Sequence, residues 1–228
     1  MSYLRIALLF LCVTFINVVN ASELPSGFVY LSDVVPTIVL DMRYTTSENF
    51  FGTPIEGYIK PVAIATKEAA VALNNAQTAL QRFGLSLKIY DAYRPQRAVD
   101  HFVRWAEDLT DVRKQTEYYP KVAKEVLFQE GYIATKSGHS RGSTFDLTLV
   151  SIDKKGAPRE LDMGTPFDFF DPKSGSEYAG LTVTQRASRL LLKTVMVKQG
   201  FKPYPKEWWH FTLKGEPYPD TYFNFVIE

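Results

Sequence analysis

The sequence predicts an α+β fold in a single domain, a mostly antiparallel sheet with flanking helices, and three observations carry that reading. Helical and strand-like hydrophobic patterns alternate irregularly along the chain. No internal repeat, low-complexity tract or dividing linker interrupts it. The 228 residues, less an N-terminal leader, make about one domain, long enough to bury a core without disulfides.

In chain order, residues 1–21 have the pattern of a secretory signal peptide: Arg5 near the start, an apolar run over 6–19, and Val19-Asn20-Ala21 as a small-residue cleavage site. Thr14 and Asn17 interrupt the run, which is shorter than the roughly 20 residues of a spanning helix. The expectation is therefore cleavage, a mature domain over 22–228, no stable membrane insertion and a periplasmic location. Cys12 lies inside the apolar run and lacks the small preceding residues of a lipoprotein site.

A first helix is predicted over 67–83 from Ala70, Val71, Leu73, Ala76 and Leu80, with Gly84 as its stop. Residues 85–90 alternate like a strand. Ala92-Tyr93-Arg94-Pro95 then turns into a second helix over 96–109, because proline suits the first helical position; Arg94 sits at that strand-to-helix corner. A short third helix is predicted over 121–129, ending at Gly131. Residues 137–142 have loop composition, and 144–150 resume a strand pattern. For the last helix, Thr184 is the expected cap, Leu190, Leu191, Val195 and Val197 supply the apolar content, and Gly200 is the stop. A turn at 203–205 and a final strand over 208–213 follow.

Composition narrows the function. The near balance of 26 Lys+Arg against 25 Asp+Glu gives no electrostatic footprint for nucleic acid or anionic lipid. Cys12 is the only cysteine and leaves with the leader, so the mature chain has no thiol nucleophile or thiolate ligand, and a metal must sit on His, Asp or Glu. Two of the three histidines stand in suggestive settings. His139 leaves a glycine-containing loop just before Asp146 enters a strand, and Glu207-Trp208-Trp209-His210 places a carboxylate and an imidazole three residues apart. Two nitrogens and one carboxylate oxygen make a three-ligand site with a fourth position open to water, as hydrolytic zinc requires, and Glu207 is left over as a base. Singly, each fragment also fits a bland role: a hydrogen-bonded loop histidine, or an exposed charge at a sheet end. His101, between Asp100 and Phe102 in an amphipathic helix, illustrates the histidine with no ligand-like partner.

The stretches 137–149, Glu207-Trp208-Trp209-His210 and Asp91-Ala92-Tyr93-Arg94-Pro95 resemble the D-alanyl-D-alanine dipeptidases, the VanX-like zinc peptidases. Asp41-Met42-Arg43-Tyr44 with Asn49-Phe50, Met163-Gly164 with Phe167-Asp168-Phe169, and Glu216-Pro217-Tyr218-Pro219 are similar in the same order, so the resemblance spans the mature chain. It implies that His139, Asp146 and His210 bind one zinc ion, that Glu207 is the acid/base, and that Arg94 stabilises the transition state. Asp168, Tyr44 and Ser137 match substrate-contacting positions. The leader and the extra residues between Val150 and Met163 depart from the family pattern, the latter altering the spacing to Asp168.

The implied chemistry is coherent. Zinc activates water, Glu207 shuttles the proton, and a guanidinium at a fixed corner meets the growing oxyanion. A structural salt bridge is the plainer role for Arg94, but a cation gains little at a helix N-terminus, where the macrodipole is already positive. Asp168 would pair with the ammonium of a small dipeptide, with Tyr44, Phe50 and Trp208 walling the pocket. The expected role is peptidoglycan turnover or D-alanine scavenging. The rivals are a D,D-carboxypeptidase or endopeptidase on stem peptides and a non-catalytic zinc-stabilised binding module.

Overall fold

The central sheet assembles strands that are far apart in sequence. The computed structural model describes residues 24–153 and 155–228. Its elements are β1 (Phe28–Tyr30), α1 (Leu31–Val34), β2 (Val39–Leu40), β3 (Ile64–Thr66), α2 (Lys67–Gln81), β4 (Leu85–Asp91), α3 (Gln96–Glu107), α4 (Gln115–Tyr118), β5 (Thr144–Ile152), β6 (Pro158–Glu160), α5 (Val183–Lys198), β7 (Phe201–Tyr204) and β8 (Glu207–Leu213). The order in the main sheet is β2-β4-β5-β8-β7, and β6 pairs with the far end of β5 that β8 does not reach. Every pair in it is antiparallel except β2 beside β4. β1 and β3 form a separate antiparallel pair. The expected α+β domain with a mostly antiparallel sheet is what forms. The predicted leader lies outside the described residues, and among those described no helix is long and apolar enough to cross a membrane.

α2 forms where its periodicity placed it. The Thr66 side chain accepts from Ala69 N as cap, and Ala70, Leu73, Ala76 and Leu80 are buried. Val71 falls off that stripe and is exposed. Buried Gln77 joins α2 to β4, donating to Ser86 Oγ at 2.8 Å and accepting from Leu87 N at 2.8 Å. α3 buries Ala98, Val99, Phe102, Trp105 and Ala106; Trp105 and Phe102 pack on Phe50 with ring centroids 4.9 and 5.1 Å apart. Pro95 takes the cap position of α3, with φ −63 and ψ 148, and Gln96 starts the helix.

Three expectations need correction. Residues 121–129 do not form a helix; only a 3-10 turn, Lys124–Val126, appears there. Lys124 instead turns inward, donating to the carbonyls of Asp108 (2.6 Å) and Asp111 (3.0 Å) with its ammonium 4.0 Å from the Trp105 ring centroid. The cap of α5 is Thr182, not Thr184, because Thr182 and Gln185 exchange side-chain and backbone hydrogen bonds in a capping box. Leu190, Leu191 and Val197 face outward, and α5 packs through Ser188, Arg189, Leu192 and Met196. Finally, Pro203 is part of β7, which tolerates proline because it is an edge strand.

Candidate metal centre and active site

Strand register joins the two sequence fragments. Asp146 in β5 is the partner of His210 in β8 on one side and of Asp91 in β4 on the other, so three polar residues stand abreast across the sheet. A register irregularity between Ile89 and Asp91 re-aims the end of β4. Along β5, Asp146 alternates with the buried Phe145 and Leu147, which face the opposite side of the sheet.

His139 comes from a 3-10 turn, Gly138–Arg141, directly before β5. Ser137 Oγ caps that turn by accepting from His139 N at 3.2 Å. Gly142, at φ 82, ends it; a Cβ there would come within 2.3 Å of the Phe28 ring. His139 Nδ1 is 2.7 Å from the Ala92 carbonyl oxygen. Only a protonated nitrogen bonds a carbonyl, so in the neutral ring Nε2 is the nitrogen that carries the lone pair. Nε2 lies 3.3 Å from His210 Nδ1 and 3.2 Å from Asp146 Oδ2, and His210 Nδ1 is 3.1 Å from Asp146 Oδ1. With zinc–ligand bonds of about 2.0–2.1 Å, a tetrahedron has edges of about 3.3 Å. The donor types and spacings thus fit one zinc ion, and the three candidate ligand atoms lie within 4.8 Å of one another.

The surroundings tune these groups. Burial alone would raise Asp146, but His139 and His210 outweigh it and hold its carboxyl far below the usual range. Burial pushes His210 down, against the pull of Asp146, favouring the neutral ring that binds metals. Glu207 Oε2 lies 3.6 Å from His210 Nδ1. Burial, then repulsion from Asp146 and Asp168, pushes Glu207 well above the ordinary carboxyl value. Asp168 is raised by burial and then by Asp146, while the Tyr44 hydroxyl, donating to its Oδ2 at 2.9 Å, opposes the shift.

Arg94 is held from two sides. Its Nε donates to Asp91 Oδ2 at 2.9 Å and its Nη2 to Asp146 Oδ2 at 3.3 Å, while its guanidinium carbon is 5.2 and 4.9 Å from the Tyr44 and Phe102 ring centroids. Asp91 also accepts from Tyr58 Oη at 2.7 Å and lies 3.5 Å from His139 Nδ1. Asp91 and Tyr58 adjoin the candidate site residues, and the sequence alone left both without a role. Asp91 sits inside a quoted motif, but no local signal marks Tyr58 as its partner. The C-terminal tail ties the segments bearing His139 and Arg94 together: Phe223 N donates to Ser140 O and Phe223 O accepts from Gln96 N, each at 2.9 Å.

All eight residues singled out by sequence, namely Tyr44, Arg94, Ser137, His139, Asp146, Asp168, Glu207 and His210, line one cleft of about 270 Å³. Phe50 is also in its wall, but Trp208 is not. Trp209 lines the cleft instead, and the Trp208 indole N–H donates to Thr165 Oγ1 at 2.9 Å. Tyr132 and Tyr204 add aromatic walls that sequence reasoning did not name. His101 stays outside, accepting from Glu56 N at 3.3 Å with its ring against Phe51. The extra residues after Val150 run through β6, which folds back on β5 in the register Ile152↔Pro158, at the opposite end of the strand from Asp146. Asp168 reaches the cleft despite the altered spacing.

The sequence model of the D-ala-D-ala dipeptidase family matches residues 25–228. A D-alanyl-D-alanine dipeptidase of Enterococcus faecalis is 41% identical over 202 residues, covering 89% of this chain and 98% of that one. One from Streptomyces coelicolor is 41% identical, covering 88% and 98%, and one from Escherichia coli is 32% identical, covering 83% and 86%. Aligned nearly end to end with these relatives, the chain belongs to the D-alanyl-D-alanine dipeptidase family.

Proposed function

We propose that the protein is an exported, zinc-dependent dipeptidase that hydrolyses D-alanyl-D-alanine to two molecules of D-alanine, with one zinc ion held by His139, Asp146 and His210. The observation that carries this reading is the convergence of three ligand atoms, at tetrahedral spacing, in a cleft that also contains Glu207, Arg94 and Asp168. Zinc, when bound, supplies Lewis acidity that activates water and polarises the scissile carbonyl.

The chain's own groups do the rest. Glu207 takes a proton from the attacking water and returns it to the leaving amine. Arg94, fixed by Asp91, donates to the carbonyl oxygen as negative charge grows on it, with little reorganisation. Asp168, oriented by Tyr44, receives the substrate ammonium, and Ser137 contacts the dipeptide at the cleft wall. A cleft of about 270 Å³ is below the roughly 300–1,000 Å³ typical of drug-sized ligands and suits a dipeptide. An ammonium clamp beside the reacting centre also disfavours longer peptides, whose amino terminus lies elsewhere.

Residues 1–21 add the location: we place the mature form outside the cytoplasm, acting on dipeptide released from peptidoglycan for turnover or D-alanine scavenging. The test offers zinc-loaded mature protein D-Ala-D-Ala, L-Ala-L-Ala and a D-alanyl tripeptide, with cell fractionation alongside. Cleavage of D-Ala-D-Ala alone supports the reading. Preference for the tripeptide would replace the dipeptidase assignment, and full-length protein in the cytosol would remove the proposed location.

A further inference from the structure

Arg189 is 4% exposed, yet all three of its hydrogen bonds among the described residues go to backbone carbonyls. Nε donates to Met163 O at 2.7 Å, Nη1 to Gly175 O at 2.7 Å and Nη2 to Lys173 O at 3.0 Å. Burial lowers its pKa to about 10, which still leaves it protonated at neutral pH. Burying a cation is costly unless its donors are satisfied, and here one planar fork, with its donors spread over three nitrogens, reaches three separate carbonyls.

The carbonyls are not scattered. They belong to the two ends of the segment 163–175, and Asp168 stands midway between Met163 and Lys173. Asp168 is the one non-glycine residue with positive φ among the described residues, at 59°. Aspartate tolerates that left-handed region better than most residues, but it is held there only where the surroundings over-determine it. Within the segment, Ser174 Oγ donates to Phe169 O at 2.6 Å and shares a hydrogen bond with Thr165 Oγ1 at 3.1 Å. Phe167 stacks on Tyr90 at 4.6 Å. Arg189 is the element that closes both ends on α5.

We propose that Arg189 is a positioning residue for recognition of the substrate's amino terminus, acting from outside the cleft by clamping the ends of the Asp168 loop. The inference rests on the reading of Asp168 as the ammonium partner. It makes α5, which contributes no residue to the cleft lining, a support for substrate affinity.

The test uses zinc-loaded full protein with Arg189→Lys, which keeps the charge but not the fork, and Arg189→Met, each alone and in an Asp168→Asn background. KM and kcat for D-Ala-D-Ala are measured together with amide hydrogen exchange over 163–175. Each Arg189 variant is expected to retain zinc and to raise KM about tenfold with kcat changed much less, the pattern of a lost uniform binding interaction. Exchange should quicken in the loop while the sheet stays protected. In the Asp168→Asn background, substituting Arg189 should add no further rise in KM. Unchanged KM and unchanged loop exchange in Arg189→Lys would overturn the proposal. So would effects of the two residues that multiply independently, or loss of folding in both variants, which would make Arg189 a general stability residue. An unchanged KM in Asp168→Asn alone, with loop exchange still quickened by Arg189→Lys, would instead refute the ammonium reading while leaving the clamp in place.

Discussion

Asp91→Asn isolates the support of Arg94 from the metal ligands. The side chain is fully buried, accepts from Arg94 Nε at 2.9 Å and from Tyr58 Oη at 2.7 Å, and lies 3.5 Å from His139 Nδ1. Asparagine keeps the shape but removes the charge and turns an amide NH₂ toward one of those donors. The loss is one charge-assisted hydrogen bond, about 1.5–3 kcal/mol. If Arg94 meets the oxyanion only when so aimed, that converts to a fall in kcat/KM of roughly 10- to 150-fold, at about 1.4 kcal/mol per decade. Steady-state kinetics on Asp91→Asn, Arg94→Lys and the double variant, with bound zinc measured in each, make the assay. The double variant should be no worse than Arg94→Lys, because Asp91 then has no aimed guanidinium left to support. A single-variant rate within about twofold of wild type with zinc intact would refute the reasoning, since the lost bond cannot be that cheap if it matters. Loss of zinc would show that Asp91 acts through His139 instead, as a partner behind a metal ligand does.

His139→Ala, Asp146→Ala and His210→Ala should each lose zinc retention and activity, while His101→Ala keeps both; stoichiometric zinc in folded His210→Ala would sink the ligand set. Glu207→Gln should retain zinc and lose about 10²- to 10⁴-fold in kcat, and a near-wild-type rate would move the acid/base role elsewhere. Burial raises Glu207 and Asp168 in the folded protein, whereas the unfolded chain releases those protons near pH ~4. Their contribution to stability is therefore full below pH ~4 and is lost as pH rises through the folded values. His210, lowered by burial, works the other way but only up to pH ~6.5. As pH is raised from ~4, the melting temperature of chelator-treated wild type should therefore fall more, or rise less, than that of Glu207→Gln, and identical slopes would contradict the assignment.

The metal-site candidates were legible because each lies in a short stretch with its own chemistry: glycine, histidine and aspartate at a loop-to-strand junction, and a carboxylate three residues from an imidazole. Their convergence was not. It depends on the cross-strand pairing of Asp146 with His210, residues 64 apart, which no local pattern specifies. α2, α3, β4, β5 and β8 were readable from local pattern, even though β5, the central strand, is buried on both faces over 144–150. Residues 121–129 carry enough apolar residues for a helix, but Lys124 is drawn inward by two carbonyls and a tryptophan ring, and that tertiary demand overrides local propensity. The packing face of α5 was not legible: of its apolar content Leu190, Leu191 and Val197 point outward, while a buried arginine bonded to carbonyls leaves no mark in the sequence.

The buried charges also bear on the two cations, zinc and a substrate ammonium, that the proposed reaction would bring to the cleft. Asp91, Asp146, Asp168 and Glu207 are carboxylates within one small volume, and Arg94 is the guanidinium buried among them. Burial raises Glu207 and Asp168 first, and repulsion from the neighbouring carboxylates adds to it, because protonation is the cheapest relief for a carboxylate buried beside its like. A divalent ion on His139, Asp146 and His210 and an ammonium on Asp168 would together supply three positive charges against the three negative charges left after Arg94 is counted. Each would favour the ionised form of the carboxylates near it, so zinc should favour ammonium binding and ammonium should favour zinc retention by the same factor. Zinc affinity measured with and without D-alanine or a non-cleaved dipeptide analogue checks this. Tighter zinc in the presence of the amine, lost in Asp168→Asn, is the expected outcome, and equal affinities would mean that the two cations do not share the charge of the cleft.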